Sequence, residues 1–370
     1  MADVWVGCET GILKGVDLHK KEFQNHGDLS ELNKNSDEVC RMCWYNEYER
    51  KICIAAKSGV CKVFDTEENQ FVDEKCCFTK EEGEITGMER TDESLLVCSE
   101  KGILRIFRDS DNNQTDIKVG SHIARMKKNP FEMCQVATGG NENVLKLWDL
   151  NKPEQPLFKA KNVRNDNLDL QVPDYIKDIG FLSSSGSTPK IVVGTAYHKL
   201  RLYDLKAQKR PVLDFNYKES PITCVSVPMH EKFIIVGNAY GDMGAIDVRI
   251  GKNLGSYKSF SGSIQGIQCH QTEPLVASCG LDRYLRIHHI DTRQIVDKIY
   301  LKSRLKSLLF SKTYTRDSGG VKNNSNKRRH NVNTEEDEVD SEGEEDVWKD
   351  MELVQDDLIN KKKKQRKKEK

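Results

Sequence analysis

The sequence predicts an all-β fold, a seven-bladed β-propeller, because one short motif returns in phase along the chain. The motif is clearest at Gly139–Leu150, where a Gly/Asn turn precedes alternating apolar and basic residues and then Trp148-Asp149. A polar turn followed by period-2 alternation is a strand signal. Trp-Asp at the end of such a strand is the signature after which WD40 propeller blades are named.

Seven aligned copies of this motif set the number of blades. Their spacings are 48, 43, 41, 55, 43 and 42 residues, and a blade period is about 40–45 residues. The third residue of every copy is apolar, and the fourth is basic in six of the seven. We expect each basic side chain to lay its stem along apolar surface and extend its charge into water. The copies start at Gly11, Gly59, Gly102, Asn143, His198, Gly241 and Arg283.

The two ends of the propeller are predicted to meet in blade one. Val4–Gly7 and Gly11–Leu18 are typical of two strands of that blade, but no strand precedes them in the sequence. At the other end, Lys298–Leu301 closes blade seven and leaves Leu305–Phe310 over. Because an open ring would expose sheet edges, we expect Leu305–Phe310 to complete blade one. The predicted propeller domain spans residues 1–310.

The composition argues against several classes of protein. The chain has 370 residues and a formal net charge of zero, so no whole-molecule field draws it to nucleic acid or membrane. No apolar run approaches the roughly 18–20 residues of a membrane span, and the first residues are too polar for a signal peptide. The cysteines are expected to stay reduced. A lone Cys40-Arg-Met-Cys43 does not predict a metal site.

No catalytic site is predicted. The sequence lacks a phosphate-binding loop, a dinucleotide fingerprint, a nucleophile elbow and a zinc-protease motif, and its nine histidines are scattered. His288-His289 occupies the Trp-Asp position of blade seven, which favours packing over metal ligation. Since no nucleophile, base and orienting group converge, the sequence predicts a non-enzymatic protein that uses no cofactor or metal.

The 55-residue interval between the fourth and fifth copies contains a surplus segment, Lys159–Pro173. It concentrates polar side chains around a few apolar ones, which is typical of a binding loop on a rigid scaffold. The alternative is a loop that only braces itself through Asn and Asp turns. The candidate residues for contact with a protein partner or RNA are Lys161, Asn162, Arg164, Asn165, Asp166 and Asp169.

Residues 311–370 are expected to form a disordered charged tail. They carry 15 basic and 15 acidic residues in segregated blocks, and their few large apolar residues cannot offset the entropy of ordering. The spacing of apolar residues favours a short helix over 346–359, either partner-binding or transient. The last block, 361–370, is typical of nuclear or nucleolar targeting. Its basic residues include Lys361, Lys362, Lys363, Lys364, Arg366, Lys367 and Lys368.

These residues together resemble one family, the nucleolar WD-repeat proteins of ribosome biogenesis. The family is called WD repeat-containing protein seventy-four in animals, and its fungal relative is a Nop-seven-associated protein. The K-N-V-R-N-D stretch of the surplus segment is specific to the family, whereas WD signatures alone are not. Asn167 departs from the Trp of the animal members. The matching stretches are Val4–Val16, Ala137–Leu150, Ala160–Pro173, Ala277–His288 and Tyr300–Ser303.

The resemblance implies an assembly factor or scaffold of early nucleolar pre-60S particles that supports processing of the large-subunit ribosomal RNA. The implied partners are pre-60S assembly factors, ribosomal RNA, the exosome-associated RNA helicase and a nuclear AAA-type ATPase of the valosin-containing-like class, which releases the protein. The implied location is the nucleus and nucleolus. The family's shared loop falls on Lys161–Leu170 of this sequence. We expect no membrane contact and a monomer within the particle.

A rival interpretation from another class is the substrate receptor of a cullin-type ubiquitin ligase. Ile246-Asp247-Val248-Arg249 resembles the Asp-x-Arg adaptor motif found at the end of WD strands. One copy is a weak signal, because the repeat already accounts for Asp247. Purification of the tagged protein separates the two interpretations: it recovers large-subunit factors and precursor RNA in one case and ligase adaptors in the other.

Overall fold

The computed structural model of the chain confirms the all-β prediction. Within the described residues there are 28 strands, and no helix is long and apolar enough to cross a membrane. The described residues are 2–27, 36–109, 114–165, 167–183 and 189–315. The helix expected over 346–359 and the basic block 361–370 lie outside these ranges, as does all of the expected tail beyond residue 315.

The strands form seven four-stranded antiparallel sheets, the blades of a propeller. Blade one contains β1 Val4–Cys8, β2 Leu13–Asp17, β3 Glu22–His26 and the last strand of the chain, β28 Leu305–Phe310. Blade two contains β4 Val39–Trp44, β5 Lys51–Ala56, β6 Val60–Asp65 and β7 Gln70–Cys76. Blade three contains β8 Ile85–Arg90, β9 Ser94–Ser99, β10 Ile103–Arg108 and β11 Gln114–Lys118.

The remaining blades follow chain order with the inner strand first. Blade four contains β12 Ile123–Lys128, β13 Gln135–Gly140, β14 Asn143–Asp149 and β15 Phe158–Lys159. Blade five contains β16 Ile176–Leu182, β17 Lys190–Thr195, β18 Lys199–Asp204 and β19 Leu213–Asn216. Blade six contains β20 Ile222–Ser226, β21 Ile234–Asn238, β22 Met243–Asp247 and β23 Lys252–Tyr257. Blade seven contains β24 Ile264–Cys269, β25 Leu275–Gly280, β26 Tyr284–His289 and β27 Ile295–Tyr300.

The inner strands close a ring around a central channel. Each contacts the inner strand of the next blade, in the order β28, β4, β8, β12, β16, β20, β24 and back to β28. The last strand pairs antiparallel with β1, so that Trp5 faces Leu309. As the sequence predicts, the two ends of the propeller are therefore joined within blade one.

Every inner strand carries a β-bulge at the same place. In blade four the pairing passes from Ile123 directly to Arg125, so that Ala124 has no partner on β13. In β28 the pairing skips Lys306 in the same way. A bulge inserts one unpaired residue and increases the local twist, so β28 has the geometry of the other inner strands. The skipped residues are Cys40, Thr86, Ala124, Lys177, Thr223, Gln265 and Lys306.

The apolar positions of the motif form the packing between blades. Trp148 is 5% exposed, and its indole N–H donates to Thr138 Oγ1 at 2.9 Å. His288 holds the equivalent place in blade seven, where it is fully buried and stacks on Phe260 at 5.5 Å between ring centroids. The apolar third residues are all buried: Leu13, Cys61, Leu104, Leu145, Leu200, Met243 and Leu285.

The expectation that every basic fourth residue extends its charge into water is wrong in four blades. Lys14 of blade one is 2% exposed and donates to Asn25 Oδ1 at 2.7 Å, and the other three are arginines. The side chains of Arg201 and Arg286 are 1% exposed and that of Arg105 is 10% exposed. The three arginines are shielded from water, so a carboxylate neutralises each charge instead. The pairs are Arg105 with Asp116 and Glu82 (2.8 Å each), Arg201 with Asp174 (3.1 Å) and Arg286 with Asp282 (2.6 Å).

Candidate functional site

The surplus segment between β15 and β16 lies against the outer part of blade five. The main-chain N–H of Lys161 donates to the carbonyl of Lys209 at 2.8 Å. The guanidinium Nε of Arg210 donates to the carbonyl of Asn162 at 3.1 Å. Lys209 and Arg210 belong to the turn between β18 and β19, so the segment from blade four is attached to a turn of the next blade.

The segment is also braced from within. The Asn162 side-chain amide donates to the carbonyl of Val172 at 2.5 Å, which joins the two ends of the loop. Inside it, Asn165 Nδ2 donates to Asp169 Oδ1 at 2.8 Å and to the Asp169 carbonyl at 3.2 Å. Asp169 has a φ of +59°, a left-handed conformation that Asp tolerates better than most residues. The self-braced alternative therefore describes part of this loop correctly.

Bracing leaves most of the candidate residues on the surface. Lys161, Arg164, Asn165 and Asp169 are exposed, whereas Asn162 is half-buried at the base of the loop. Asp166 lies outside the described residues. Two large apolar side chains are also on the surface: Leu168 is 78% and Leu170 is 60% exposed. The loop thus combines a fixed base with charged and apolar side chains suited to contact with a partner.

A basic groove of about 550 Å³ runs between the segment and the β18–β19 turn. Within the described part of the chain, none of its four cations lies at ion-pair distance from a carboxylate. Its one acidic residue, Asp214, is 3.5 Å from both Lys199 and Arg201, which already offset its charge. The groove therefore has an uncompensated positive charge. Its lining residues are Lys161, Val163, Arg164, Gln208, Lys209, Arg210, Pro211 and Asp214.

The base of the groove is rigidly connected to the core. Where the segment enters blade five, Asp174 is 5% exposed and pairs with the fully buried Arg201. Burial raises the pKa of the Asp174 carboxyl, and the neighbouring Arg201 opposes that rise. The Asp174 carbonyl accepts the N–H of Glu142 from the β13–β14 turn at 2.8 Å. Blades four and five thus both fix the end of the loop.

Lys209 and Arg210 line the same groove but are not among the candidate residues that the sequence predicts. Their signal is the basic turn Lys206–Arg210 after the Tyr203-Asp204 of blade five. Such a turn is ordinarily a solvated charge cluster, and only the register between blades places it against Lys161. The targeting residues Lys361, Lys362, Lys363, Lys364, Arg366, Lys367 and Lys368 lie outside the described residues.

In the Asp-x-Arg sequence of the rival interpretation, the arginine and the aspartate form an ion pair with each other. Arg249 Nη2 lies 2.9 Å from Asp247 Oδ2, and Nε lies 3.2 Å from Oδ1. These hydrogen bonds lower the pKa of the Asp247 carboxyl. The Arg249 side chain is nevertheless 79% exposed. The motif is accessible in this structure, with its guanidinium held by its own aspartate.

Potential metal ligands do not converge in the described ranges. There, no group of three or more His, Cys, Asp or Glu is arranged to hold a metal ion. Cys40 donates weakly to the Glu38 carbonyl at 3.8 Å, and Cys43 faces Cys53 across β4 and β5. Burial lowers the pKa of His288 to about 4, so this imidazole is neutral in the core.

Comparison with known proteins places the chain among WD-repeat relatives. No family model matches it. WD repeat-containing protein 74 of Bos taurus is 44% identical over 315 residues, which cover 83% of this chain and 80% of the relative. The Homo sapiens protein of that name is 42% identical with the same coverage. Ribosome biogenesis protein NSA1 of Meyerozyma guilliermondii is 31% identical over 53% of this chain and 56% of the relative. At this identity over most of its length, the chain belongs to the WD repeat-containing protein 74 family.

Proposed function

We propose that this protein is a non-enzymatic assembly factor of ribosome biogenesis that works as a scaffold for protein contacts. Its fungal relatives carry the name ribosome biogenesis protein NSA1. Its ring of seven blades supports the proposal, because a rigid scaffold presents loops in fixed positions.

The finer proposal concerns the place and the partners. The protein acts on nucleolar pre-60S particles, where it contacts other assembly factors and ribosomal RNA and supports large-subunit rRNA processing. An AAA-type ATPase of the nuclear valosin-containing-like class releases it, and the exosome-associated RNA helicase is a linked partner. The basic residues of 361–370 direct it to the nucleus and nucleolus. The resemblance to the family supports each of these steps.

The basic groove and its braced loop carry the proposal for the contact site. One concave surface is lined by residues of two segments: Lys161 and Arg164 from the surplus segment, and Lys209 and Arg210 from the turn of blade five. Among the described residues no carboxylate pairs with these four cations, so they are available to neutralise an external anion, and RNA phosphates or acidic side chains have the matching sign. The exposed Leu168 and Leu170 beside them add apolar contact area.

The decisive experiment changes Lys161 and Arg164 together to Glu and follows co-sedimentation of the tagged protein with pre-60S particles. Both side chains are exposed, so the melting temperature should stay near that of the wild type. Association with the particles should be lost because two attractive contacts become repulsive.

A matched control changes Lys80 and Arg108 to Glu. Both are exposed and belong to blade three or its flanking turn, and the change in net charge is the same as in the groove variant. This control should still co-sediment. If the groove variant also stays with the particles, the loop and groove are not the contact site.

Salt dependence distinguishes the two kinds of partner. If the groove holds RNA phosphates, the logarithm of the association constant should fall steeply with the logarithm of salt concentration. The Lys161 and Arg164 variant should then show a slope smaller by roughly one for each lost phosphate contact. An association that is insensitive to salt points to a protein partner held mainly by apolar contacts.

A further inference from the structure

The central channel of the ring is a second basic cavity. It measures about 740 Å³ and is lined by the inner strand of every blade. Cavities of about 300–1,000 Å³ are of the size that holds small ligands. Seven basic and three acidic side chains line it, although the formal net charge of the whole chain is zero.

At two successive levels of the inner strands, the charge is confined to one half of the channel wall. The charged residues at these levels belong to four neighbouring inner strands. They are Arg41 of β4, Glu89 of β8, Arg125 and Lys127 of β12, and Asp178 of β16. The equivalent positions of β20, β24 and β28 carry uncharged and mostly small side chains, so this half leaves space opposite the charges. These positions are Cys224, Ser226, Gly266, Gln268, Ser307 and Leu309.

Carboxylates of the channel wall form ion pairs with only some of its basic side chains. Asp178 lies 2.7 Å from Arg125 Nε, and it also accepts the N–H groups of Ile179 and Val225. The two oxygens of the Asp178 carboxylate therefore already accept most of the hydrogen bonds that they can form. Of the other two acidic residues of the wall, Glu38 pairs with Lys306 at 2.8 Å. Burial raises the pKa of Glu89, and the nearby Lys127 and Arg125 oppose that rise.

In the described part of the chain, neither Arg41 nor Lys127 lies at ion-pair distance from a carboxylate. Glu89 and Asp178 attract both side chains from farther away. Arg41 donates only to neutral carbonyls, from Nε to Thr86 at 2.9 Å and from Nη1 to Cys40 at 2.8 Å. Burial, together with the nearby Arg125, lowers the pKa of Arg41 to about 10, although Asp178 and Glu89 oppose the shift. Asp178 offsets part of the repulsion between these two guanidinium groups, and a further anion in the cavity would offset more of it.

Buried donors around the same cavity also lack acceptors. Trp44 Nε1, Arg90 Nε and Arg125 Nε are buried, and none has a hydrogen-bond acceptor in line among the described residues. Arg125 Nε nevertheless forms an ion pair with Asp178 at 2.7 Å, so Trp44 Nε1 and Arg90 Nε are the two donors without a nearby acceptor in this part of the chain. All three residues line the channel. A ligand rich in acceptor oxygens and negative charge would satisfy these groups.

We propose that the channel binds a small, multiply charged phosphate anion. Arg41, Arg125 and Lys127 neutralise its charge, and the uncharged half of the wall provides its space. Phosphate oxygens suit guanidinium groups because the planar fork of N–H donors matches two oxygens at once.

The test is isothermal titration of the full-length protein with inorganic triphosphate at a fixed salt concentration. The wild type should bind one triphosphate in the channel. Arg41→Gln and Lys127→Gln should each weaken that site by about tenfold or more. Lys127 makes no ion pair among the described residues, so Lys127→Gln should fold normally. If Arg41→Gln unfolds at a lower temperature than the wild type, the affinity of Lys127→Gln for triphosphate alone tests the proposal.

A matched control is Lys161→Gln, which removes one positive charge from the basic groove rather than from the channel. This variant should keep the affinity of the wild type, so a failure of the groove proposal does not affect the outcome. An absence of binding by the wild type at millimolar triphosphate overturns the proposal. Equal binding by the wild type and Lys127→Gln also overturns it, because the anion then sits elsewhere, for example on the basic block 361–370.

Discussion

At the scale of single residues, the repeat buries an arginine on the third strand of a blade, and an aspartate on the fourth strand of that blade lies opposite it. Asp214 lies directly opposite Arg201 in the register of β18 and β19, and Asp116 lies opposite Arg105 in the same way. Arg201 also pairs with Asp174 at the end of the surplus segment. One buried guanidinium therefore links the core of blade five to the base of the candidate loop.

The first prediction concerns this buried pair. Arg201→Met should lower the free energy of unfolding by about 3–5 kcal/mol, because Asp174 then lies buried without its counter-ion. Urea denaturation at pH 7 measures the loss. Adding Asp174→Asn to Arg201→Met should recover part of it, since no lone charge is then buried. A double variant that is less stable than Arg201→Met would contradict this explanation.

The second prediction concerns pH and the buried imidazole of His288. Burial lowers its pKa to about 4 from the ordinary value of 6.5. Between these values the unfolded chain binds a proton that the folded protein refuses, so stability falls as pH falls from 6.5 towards 4. The linkage relation gives a loss of about 2 kcal/mol at pH 5 relative to pH 7. Urea denaturation at the two pH values measures it.

The matched comparison for this prediction uses the neighbouring histidine. His288→Gln should lose this part of the pH dependence, whereas His289→Gln, at a partly exposed position, should retain the slope of the wild type. If His288→Gln keeps the full slope, the acid sensitivity arises from other groups. Carboxylates contribute little to the difference between the variants because all of them share the same carboxylates.

At the scale of elements, the surplus loop shows which parts of a site are visible in a sequence. The density of polar residues around Lys161 and Arg164 is local, so composition alone indicated a contact or self-braced loop. Lys209 and Arg210 join the site only because β15 ends beside the β18–β19 turn. Contacts of this kind depend on the geometry between blades, which no local pattern encodes. The β-bulge of the inner strands was likewise not predicted, because no residue type marks it.

The third prediction tests the base of the loop. Asn162→Ala removes the side-chain hydrogen bond to the Val172 carbonyl and should cost no more than about 1.5 kcal/mol of stability. Amide hydrogen exchange between residues 163 and 171 should accelerate, because the ends of the loop are no longer joined by this side chain. Exchange in the blades should not change.

Asn165→Ala is the matched control for the base of the loop. It removes the inner bond to Asp169 but leaves the bond between Asn162 and Val172 intact. Its effect on exchange should be smaller and confined to the tip. Equal exchange in the wild type and Asn162→Ala would show that the Arg210 and Lys209 contacts hold the loop by themselves.

At the scale of the whole molecule, the residue after β28 joins three blades. The Ser311 N–H donates to the Asp3 carbonyl of blade one at 2.9 Å. Its hydroxyl donates to Glu49 Oε2 next to blade two at 2.6 Å. Its carbonyl accepts from His270 Nε2 next to blade seven at 2.8 Å; the hydrogen is assigned to Nε2 because Nδ1 accepts the N–H of Glu273.

The number of blades and the closing strand were predictable, whereas this junction was not. Seven copies of one motif define the ring, and the strand that blade one lacks at its start predicts the place of Leu305–Phe310. Ser311, Glu49 and His270 have no spacing or motif in common, and they come together only because the ring closes. Their pairing is thus a consequence of the fold rather than a signal of it.

The last prediction follows from how the ring closes. A chain ended at Ser303 lacks β28, whose buried side chains include Leu305, Leu308, Leu309 and Phe310. At about 1.5–3 kcal/mol for each buried side chain, their loss is comparable to the whole stability of a typical domain. It also leaves β1 with an open edge. This chain should show no cooperative thermal transition near that of the full-length protein. A chain ended at Thr315 keeps β28 and Ser311 and should melt like the full-length protein, so equal melting of all three chains would show that β28 does not hold the ring together.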